Sequence, residues 1–237
     1  MKLAIMQPYF LPYLGYFQLA AQVEKFVFYD DVNFIKNGWI NRNRLLLGTE
    51  ARYFTIPLRD ASSFAKISEV GVQPAAAWRR KMLDTVRQAY GRAPSFASVF
   101  ALLENVLDPT VERIAEIAKR SVTAVAQYLG MSTHFVWTSA NYGNQSLTGP
   151  ARVLDICRRE GAAEYYNLPG GRELYDAGEF AAAGVSLRFI QSQLPPYDQR
   201  RPEFVPGLSI LDVLMWNDRQ SAAAMIGVIS ADATAGS

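Results

Sequence analysis

The sequence has little of what most catalytic and metal sites are built from. Its 237 residues contain one cysteine and one histidine, so an intramolecular disulfide is excluded and a cysteine-based zinc site is not expected. The formal net charge of +2 is too small to indicate a nucleic-acid partner. No apolar run reaches membrane-spanning length, and the start of the chain reads as a strand rather than a signal peptide. We therefore expect a cytoplasmic protein with no membrane span.

What the sequence does contain is an alternation of strand-like and helix-like segments. Strands are predicted at residues 3–6, 25–29, 53–57, 134–137, 164–167 and 186–190, and helices at 13–22, 75–90, 96–107, 110–129, 150–159, around 179 and from 209. This order predicts an α/β fold, a mostly parallel sheet with flanking helices, whose N-terminal half is Rossmann-like or nucleotidyltransferase-like. We expect one domain over residues 1–229, with a helical insertion near 75–130, and a disordered tail at 230–237.

In sheets of this kind, ligands bind beyond the carboxyl ends of the strands, and an unusual stretch follows the first strand. Residues 6–17 read MQPYFLPYLGYF. Pro8 and Pro12 fix the path of the chain there. Tyrosine rings stack on flat ligands and their hydroxyls bind sugars or base edges. We assign ligand contacts in this stretch to Gln7, Tyr9, Tyr13 and Tyr16.

A second stretch, DDVNFIKNGWINRNR at residues 30–44, follows the second strand. Carboxylates serve as bases, cations bind phosphate or carboxylate, and amides bind sugar hydroxyls. We assign catalytic roles to Asp30, Asp31 and Lys36, with one aspartate as general base and the other capping or pairing, since alternate side chains of an extended segment point opposite ways. Ligand contacts are assigned to Trp39, Asn41, Arg42 and Asn43.

Other interpretations of these stretches stay open. An acidic residue after the second strand binds ribose in dinucleotide folds, but that fold needs Gly-x-Gly-x-x-Gly and the first turn has only Gly15. Adjacent aspartates also bind Mg²⁺. The layout around Gly15 loosely follows nucleotidyltransferases with a His-x-Gly-His motif, with Tyr16 in place of the second histidine. A nucleotidyl-transfer or acyl-adenylate enzyme, and a non-catalytic module that binds a nucleotide sugar or a carrier protein, are therefore alternatives.

Candidates for a covalent nucleophile are few. Cys157 shares an apolar helical face with Val153 and Leu154, which favours a buried core position. His134 begins a strand and has no motif around it. Neither residue is favoured as a nucleophile, so we expect no covalent enzyme intermediate. Residues 165–171, YYNLPGG, bring glycines that allow close backbone approach to a ligand, although an ordinary turn explains them equally well.

Three stretches together resemble the WbqC-like protein family: QPYFLPYLGYF, FVFYDDVNFIKNGWINRNRLL and YDQRRPEFVPGLSILDVL. The resemblance covers nearly the whole chain. It implies a place among O-antigen and other surface-polysaccharide genes, and N-acyl or aminoacyl transfer to an amino sugar. Many relatives have His-Gln-Pro where this chain has Met6-Gln7-Pro8, so a catalytic histidine is not shared.

The implied partners are a nucleotide-linked amino sugar and an acyl carrier protein. No tightly bound cofactor is expected, and the co-substrate is an acyl thioester of CoA or of the carrier protein. Further ligand contacts are assigned within the third stretch to Tyr197, Gln199 and Ser209. Ser209 also suits a helix N-cap, and a phosphate could lie at the same helix start.

Overall fold

The structure, a computed structural model, describes residues 1–74, 76–227 and 229–231. Its strands are β1 Lys2–Met6, β2 Lys25–Phe28, β3 Arg42–Leu47, β4 Glu50–Thr55, β5 Leu58–Arg59, β6 Gly71–Val72, β7 His134–Val136, β8 Glu164–Asn167, β9 Ser186–Ser192 and β10 Ile229–Ala231. Its helices are α1 Leu14–Ala21, α2 Ala76–Tyr90, α3 Phe96–Val106, α4 Ile114–Leu129, α5 Gly149–Arg159, α6 Ala177–Ala182, α7 Ile210–Trp216 and α8 Arg219–Gly227.

A six-stranded sheet in the order β10-β9-β8-β1-β2-β7 forms the centre of the fold. The strands β9, β8, β1, β2 and β7 are parallel to one another, and β10 runs antiparallel to β9. The predicted α/β fold with a mostly parallel sheet and flanking helices is confirmed. From β1 the chain builds outward through β2 to β7, then crosses to the other side of β1 for β8 and β9. The strand order therefore reverses between β1 and β8, and such a switch point opens a crevice for ligands.

The two faces of the sheet have separate cores because strand side chains alternate. Leu3 and Ile5 pack with Cys157 of α5 on one face, while Ala4 and Phe26 pack into the larger core on the other. That larger core includes residues of α1, of the helices α2, α3 and α4 inserted between β6 and β7, and of α7 and α8. The site is thus placed on a sheet buried on both sides.

The segment after β2 differs from the sequence prediction. Strands β3 and β4 form an antiparallel hairpin outside the central sheet, so residues 42–44 lie in a strand and residues 53–55 pair with β3 rather than with β1 or β2. Strand β10 pairs with β9 through Ile229↔Ser192. Because of that pairing, residues 230 and 231 of the expected disordered tail are in a strand, and residues 232–237 lie outside the described residues.

Gly15 is required by the close approach of α1 to β9. A Cβ atom at this position would lie 2.3 Å from Ser192 Oγ and 2.5 Å from Tyr13 Cε2. We expect Gly15→Ala to lower the free energy of unfolding by about 1–3 kcal/mol through overpacking, measured by urea denaturation. The matched control is Gly227→Ala at the end of α8, where a Cβ meets no atom within 4 Å. Equal stability of the two variants would contradict this account of Gly15.

Candidate functional site

A cavity of about 640 Å³ opens at the switch point, beyond the carboxyl ends of β1 and β8. Its volume lies within the range of roughly 300–1,000 Å³ that small-molecule sites occupy. The described residues that line it come from four parts of the chain: Ile5, Met6, Gln7, Tyr9, Pro12 and Tyr13; Tyr29, Ile35, Trp39, Asn43 and Arg44; Asn167, Leu168, Gly170, Gly171, Leu174 and Tyr175; Leu194 and Gly207. The expectation of a site at the strand ends thus has a concrete location.

Arg44 is the one charged residue among the described residues that line this cavity. It belongs to β3, which is held against the first loop because Asn43 Nδ2 donates to the carbonyl oxygen of Leu11 at 2.8 Å. One guanidinium nitrogen of Arg44, Nη2, donates to the carbonyl oxygen of Gly207 at 3.2 Å. The Nε–H of Arg44 is buried and has no hydrogen-bond partner within the described structure. Because Arg44 as a whole is only partly buried and lines the cavity, its guanidinium can also bind an anionic group of a ligand there.

The cavity has five aromatic residues in its lining. Tyr9, Tyr13, Tyr29, Trp39 and Tyr175 all line it. Burial, followed by the proximity of Tyr13, raises the pKa of Tyr9, so its hydroxyl stays protonated and can donate a hydrogen bond. Rings of this kind stack on flat ligand groups, and their hydroxyls reach polar edges.

Gln7 supplies a free amide at the end of β1. Its backbone carbonyl oxygen accepts a hydrogen bond from Tyr16 Oη at 2.8 Å, while its side chain has no hydrogen-bond partner within the described structure. Gln7, Tyr9, Tyr13, Trp39 and Asn43 are the residues assigned from the sequence that the structure brings together in this cavity.

Tyr16 faces the core instead. It is fully buried, and burial raises the pKa of its hydroxyl well above the usual value. Its hydroxyl donates a hydrogen bond to the backbone carbonyl oxygen of Gln7, and the neighbouring Gly15 packs against Ser192. The two positions that correspond loosely to the His-x-Gly-His layout therefore serve packing, with no side chain directed at a phosphate.

Asp30 is buried in an ion-pair network away from the cavity lining. Its carboxylate accepts hydrogen bonds from Lys119 Nζ at 3.0 Å, Thr138 Oγ1 at 2.7 Å and the backbone N–H of Ser139 at 3.3 Å. These contacts join the end of β2 to α4 and to the loop after β7. The arrangement gives Asp30 a structural role, and its assignment as a catalytic base stays a prediction.

Asp31 is held in the same way from the opposite side of the sheet. It accepts hydrogen bonds from Arg152 Nη2 at 2.5 Å and Gln145 Nε2 at 3.0 Å, and also from Ser139 Oγ. Burial alone raises the pKa of Asp31, but the hydrogen bonds from Arg152, Ser139 and Gln145 and the charge of Arg152 outweigh it, so the pKa lies below the usual value. A carboxylate this acidic is a weak proton acceptor at neutral pH.

Lys36, Asn41 and Arg42 line a separate, shallower depression of about 350 Å³. Arg42 donates to the backbone carbonyl oxygens of Gly38, at 3.2 Å, and Asn37, and its guanidinium lies 4.5 Å from the ring centre of Tyr53. Asn41 Nδ2 donates to the carbonyl oxygen of Ile56 at 2.9 Å. The structure thus separates these three residues from Arg44, and two of them already bond the backbone.

Tyr197, Gln199 and Ser209 surround the start of α7 rather than the cavity. Tyr197 Oη and Gln199 Nε2 donate to Asp212 Oδ2 at 2.5 Å and 2.9 Å. Ser209 caps α7, accepting from the N–H of Leu211, and donates to the carbonyl oxygen of Leu11 at 2.8 Å. Burial raises the pKa of Asp212 against the effect of these donors. These contacts are internal, and ligand binding by the three residues stays a prediction.

Sequence reasoning missed Arg44, and in the rim formed after β8 it singled out residues 165–171 but not Leu174 and Tyr175. Residues 165–171 had drawn attention for their glycines, and Gly170 and Gly171 do line the cavity. A Cβ on Gly171 would lie 3.0 Å from Asn167 Nδ2, so this turn needs glycine for packing as well. Nothing in the residue pattern separated Arg44 from Arg42.

Within the described ranges, residues 1–74, 76–227 and 229–231, no three His, Cys, Asp or Glu side chains come together in a way that could hold a metal ion. No helix in the same ranges has both the length and the apolar character to cross a membrane.

Comparison with known proteins agrees with the resemblance. The model of the WbqC-like protein family matches residues 7–224. The chain belongs to the WbqC-like family. The uncharacterized protein Rv1507c of Mycobacterium tuberculosis (strain ATCC 25618 / H37Rv) is 29% identical to this chain over 218 residues, which cover 90% of this chain and 92% of the relative's own length. No solved structure matches this WbqC-like chain.

Proposed function

We propose that this protein binds a nucleotide-linked amino sugar in the switch-point cavity and transfers an acyl group to the sugar amine, in the biosynthesis of a surface polysaccharide or related glycan. One observation carries the proposal: Arg44 is the single cation among the described residues that line the cavity, and the other lining residues are uncharged and include five aromatic side chains. Such a cavity suits a ligand that combines an anionic group with flat or weakly polar rings. The amino sugar and the acyl group are what the resemblance to the family implies.

The lining residues divide naturally among the parts of that ligand. Arg44 would hold a phosphate oxygen through a charge-assisted hydrogen bond. The rings of Tyr9, Tyr13 and Trp39 would cover the base and the sugar. The free side chain of Gln7 would bind a sugar hydroxyl or the carbonyl oxygen of the acyl group, where a donor stabilises the oxyanion that develops during transfer.

The chemistry does not need one of the aspartates. The sugar amine must be uncharged to attack, and burial in a cavity without carboxylates lowers the pKa of an amine. The amine nitrogen attacks the thioester carbonyl carbon, the C–N bond forms and the C–S bond breaks. The proton lost from nitrogen neutralises the departing thiolate, so amide and free thiol are the products.

The proposal is tested by isothermal titration calorimetry with UDP-linked and dTDP-linked amino sugars, followed by mass spectrometry after addition of an acyl-CoA. We expect micromolar or tighter binding of at least one amino sugar and an N-acylated product. A protein that binds none of the nucleotide sugars would contradict the proposal.

A non-catalytic binding module is the second candidate. It is favoured because the described residues that line the cavity include no His, Cys, Lys, Asp or Glu, so no strong base or nucleophile is at hand. Tight binding of a nucleotide amino sugar without any acylated product, across acyl-CoA and acyl-carrier donors, would identify this function instead.

Cys157 gives a test of direct transfer. It is fully buried in the core beneath α5, and burial raises the pKa of its thiol to about 12, so it is protonated and unreactive at neutral pH. We expect Cys157→Ala to keep acyl transfer while losing about 1 kcal/mol of stability. Iodoacetamide should modify the native thiol far more slowly than the unfolded one. A folded but inactive Cys157→Ala protein would instead point to an acyl-enzyme.

A further inference from the structure

The supply of charges in the cavity bears on which acyl group is transferred. None of the described residues that line it is an aspartate or glutamate. Asp30 and Asp31 lie outside the lining, and both are saturated with hydrogen bonds from their own network. Glu173 is exposed next to Leu174 at the mouth but does not line the cavity. A cationic group of a ligand would therefore find no carboxylate inside.

The mouth of the cavity is apolar. Leu174, Ile35 and Trp39 line the cavity, yet 64%, 53% and 39% of their surfaces are exposed. Tyr53, which is 52% exposed, lies against Trp39 with 6.1 Å between ring centres. Apolar side chains grouped at a cavity mouth in this way mark surface that a ligand or partner covers. Here the apolar surface is continuous with the walls of the site itself.

We propose that the acyl group is uncharged and apolar, rather than an aminoacyl group, and that it is buried between Leu174, Ile35 and Trp39. This inference rests on the proposed function. An aminoacyl group carries an α-ammonium, and removing that charge from water without an anionic partner is strongly unfavourable. An alkyl acyl group of the same size would instead remove the exposed apolar side chains from water.

The test uses a matched pair of ligands made from one nucleotide amino sugar that binds the protein. Its amine is acylated with a propionyl group or with a glycyl group, which differ only in CH₃ against NH₃⁺. Calorimetry at pH 6, where the glycyl amine is charged, should give at least roughly tenfold tighter binding of the propionyl compound. The difference should shrink at pH 9 as the glycyl amine loses its proton.

Two variants of Leu174 sharpen the result. Because this residue is mostly exposed, neither change should affect folding. Leu174→Asn should weaken binding of the propionyl compound and leave that of the glycyl compound nearly unchanged. Leu174→Asp supplies the missing carboxylate and should strengthen glycyl binding relative to Leu174→Asn. In contrast, Glu173→Gln should change neither affinity.

Two distinct failures are separable. If the parent nucleotide amino sugars do not bind, the proposed function itself is wrong and the inference falls with it. If a parent sugar binds and the wild-type protein takes the glycyl compound as tightly as the propionyl compound at pH 6, only the inference is overturned. Loss of that glycyl binding in Glu173→Gln would then identify Glu173 as the partner of the ammonium group.

Discussion

Arg44→Met is expected to weaken binding of a nucleotide-linked amino sugar by about tenfold to hundredfold. Methionine keeps an unbranched apolar stem but removes the guanidinium, the one cation among the described residues that line the cavity. A hydrogen bond to a charged group contributes about 1.5–3 kcal/mol, which corresponds to that loss of affinity. Calorimetry of wild-type and variant protein with the same ligand measures the change.

Arg42→Met and Lys36→Met are the matched controls. Both residues were assigned to the site from the sequence, yet they line the shallower depression, and Arg42 is engaged with Gly38 and Asn37. We expect ligand affinity to stay within about twofold of the wild type, since neither side chain reaches the cavity. Circular dichroism of each variant checks that the hairpin is folded. If Arg42→Met or Lys36→Met lowers affinity while Arg44→Met does not, the ligand site is the depression.

The second large effect concerns stability. We expect Arg152→Met to lower the free energy of unfolding by about 3–5 kcal/mol, since removing one member of a buried ion pair leaves the other charge without compensation. Side-chain exposure is only 4% for Arg152 and 9% for Asp31. Arg152 Nε also donates to Asn144 Oδ1 at 2.9 Å, so the loop after β7 loses a further contact. Urea denaturation followed by circular dichroism measures the change.

The double variant Arg152→Met/Asp31→Leu is the control for this prediction. It removes both charges, so we expect it to be more stable than Arg152→Met alone. If Arg152→Met were as stable as the wild type, the pair would be a surface contact of little energetic value.

The free energy of unfolding should depend differently on pH in the wild type and in Arg152→Met. In the wild type the folded-state pKa of Asp31 is lowered, so its contribution to stability is complete above the unfolded pKa of about 4 and is lost below it. Removing Arg152 raises the folded-state pKa of Asp31, because the hydrogen bond and the charge of Arg152 no longer offset the effect of burial. The variant therefore takes up a proton more readily, and its stability deficit should be smaller at pH 4 than at pH 7.

The strands of the central sheet were predictable because a short run of apolar residues is typical of a buried strand. Residues 164–167 were predicted as a strand and form β8 with the same bounds, and the helices before residue 209 were located within a few residues, whereas the single helix predicted from 209 is divided into α7 and α8. The β3–β4 hairpin was not predicted, because its first strand, RNRLLL, begins with three polar residues. Asn43, for example, is buried because its side-chain amide donates a hydrogen bond to the carbonyl oxygen of Leu11 in the loop after β1. No local sequence pattern predicts such a contact.

The candidate site was predictable in place more than in membership. The rule for strand ends pointed to the loop that contains Gln7, Tyr9 and Tyr13, and these three residues line the cavity. It could not separate Arg42 from Arg44, since the two have the same chemistry and stand two positions apart. Their difference follows from the loop before them, where Asn37 has φ of 62° and its carbonyl accepts from Arg42. Likewise, the ion-pair partner of Asp31 is Arg152, which lies 121 positions later in the chain.

The cavity is assembled from distant parts of the chain, with walls contributed by residues 5–13, 29–44, 167–175 and 194–207. During synthesis the N-terminus of the protein emerges first. Residues 5–13 are therefore made well before residues 194–207, and the cavity is complete only after both have left the ribosome. A nascent chain therefore carries no complete cavity, and a ligand that binds there cannot assist early folding. Ligand binding would then report a finished and folded chain, and ligand-dependent protection from proteolysis could distinguish completed molecules from truncated ones.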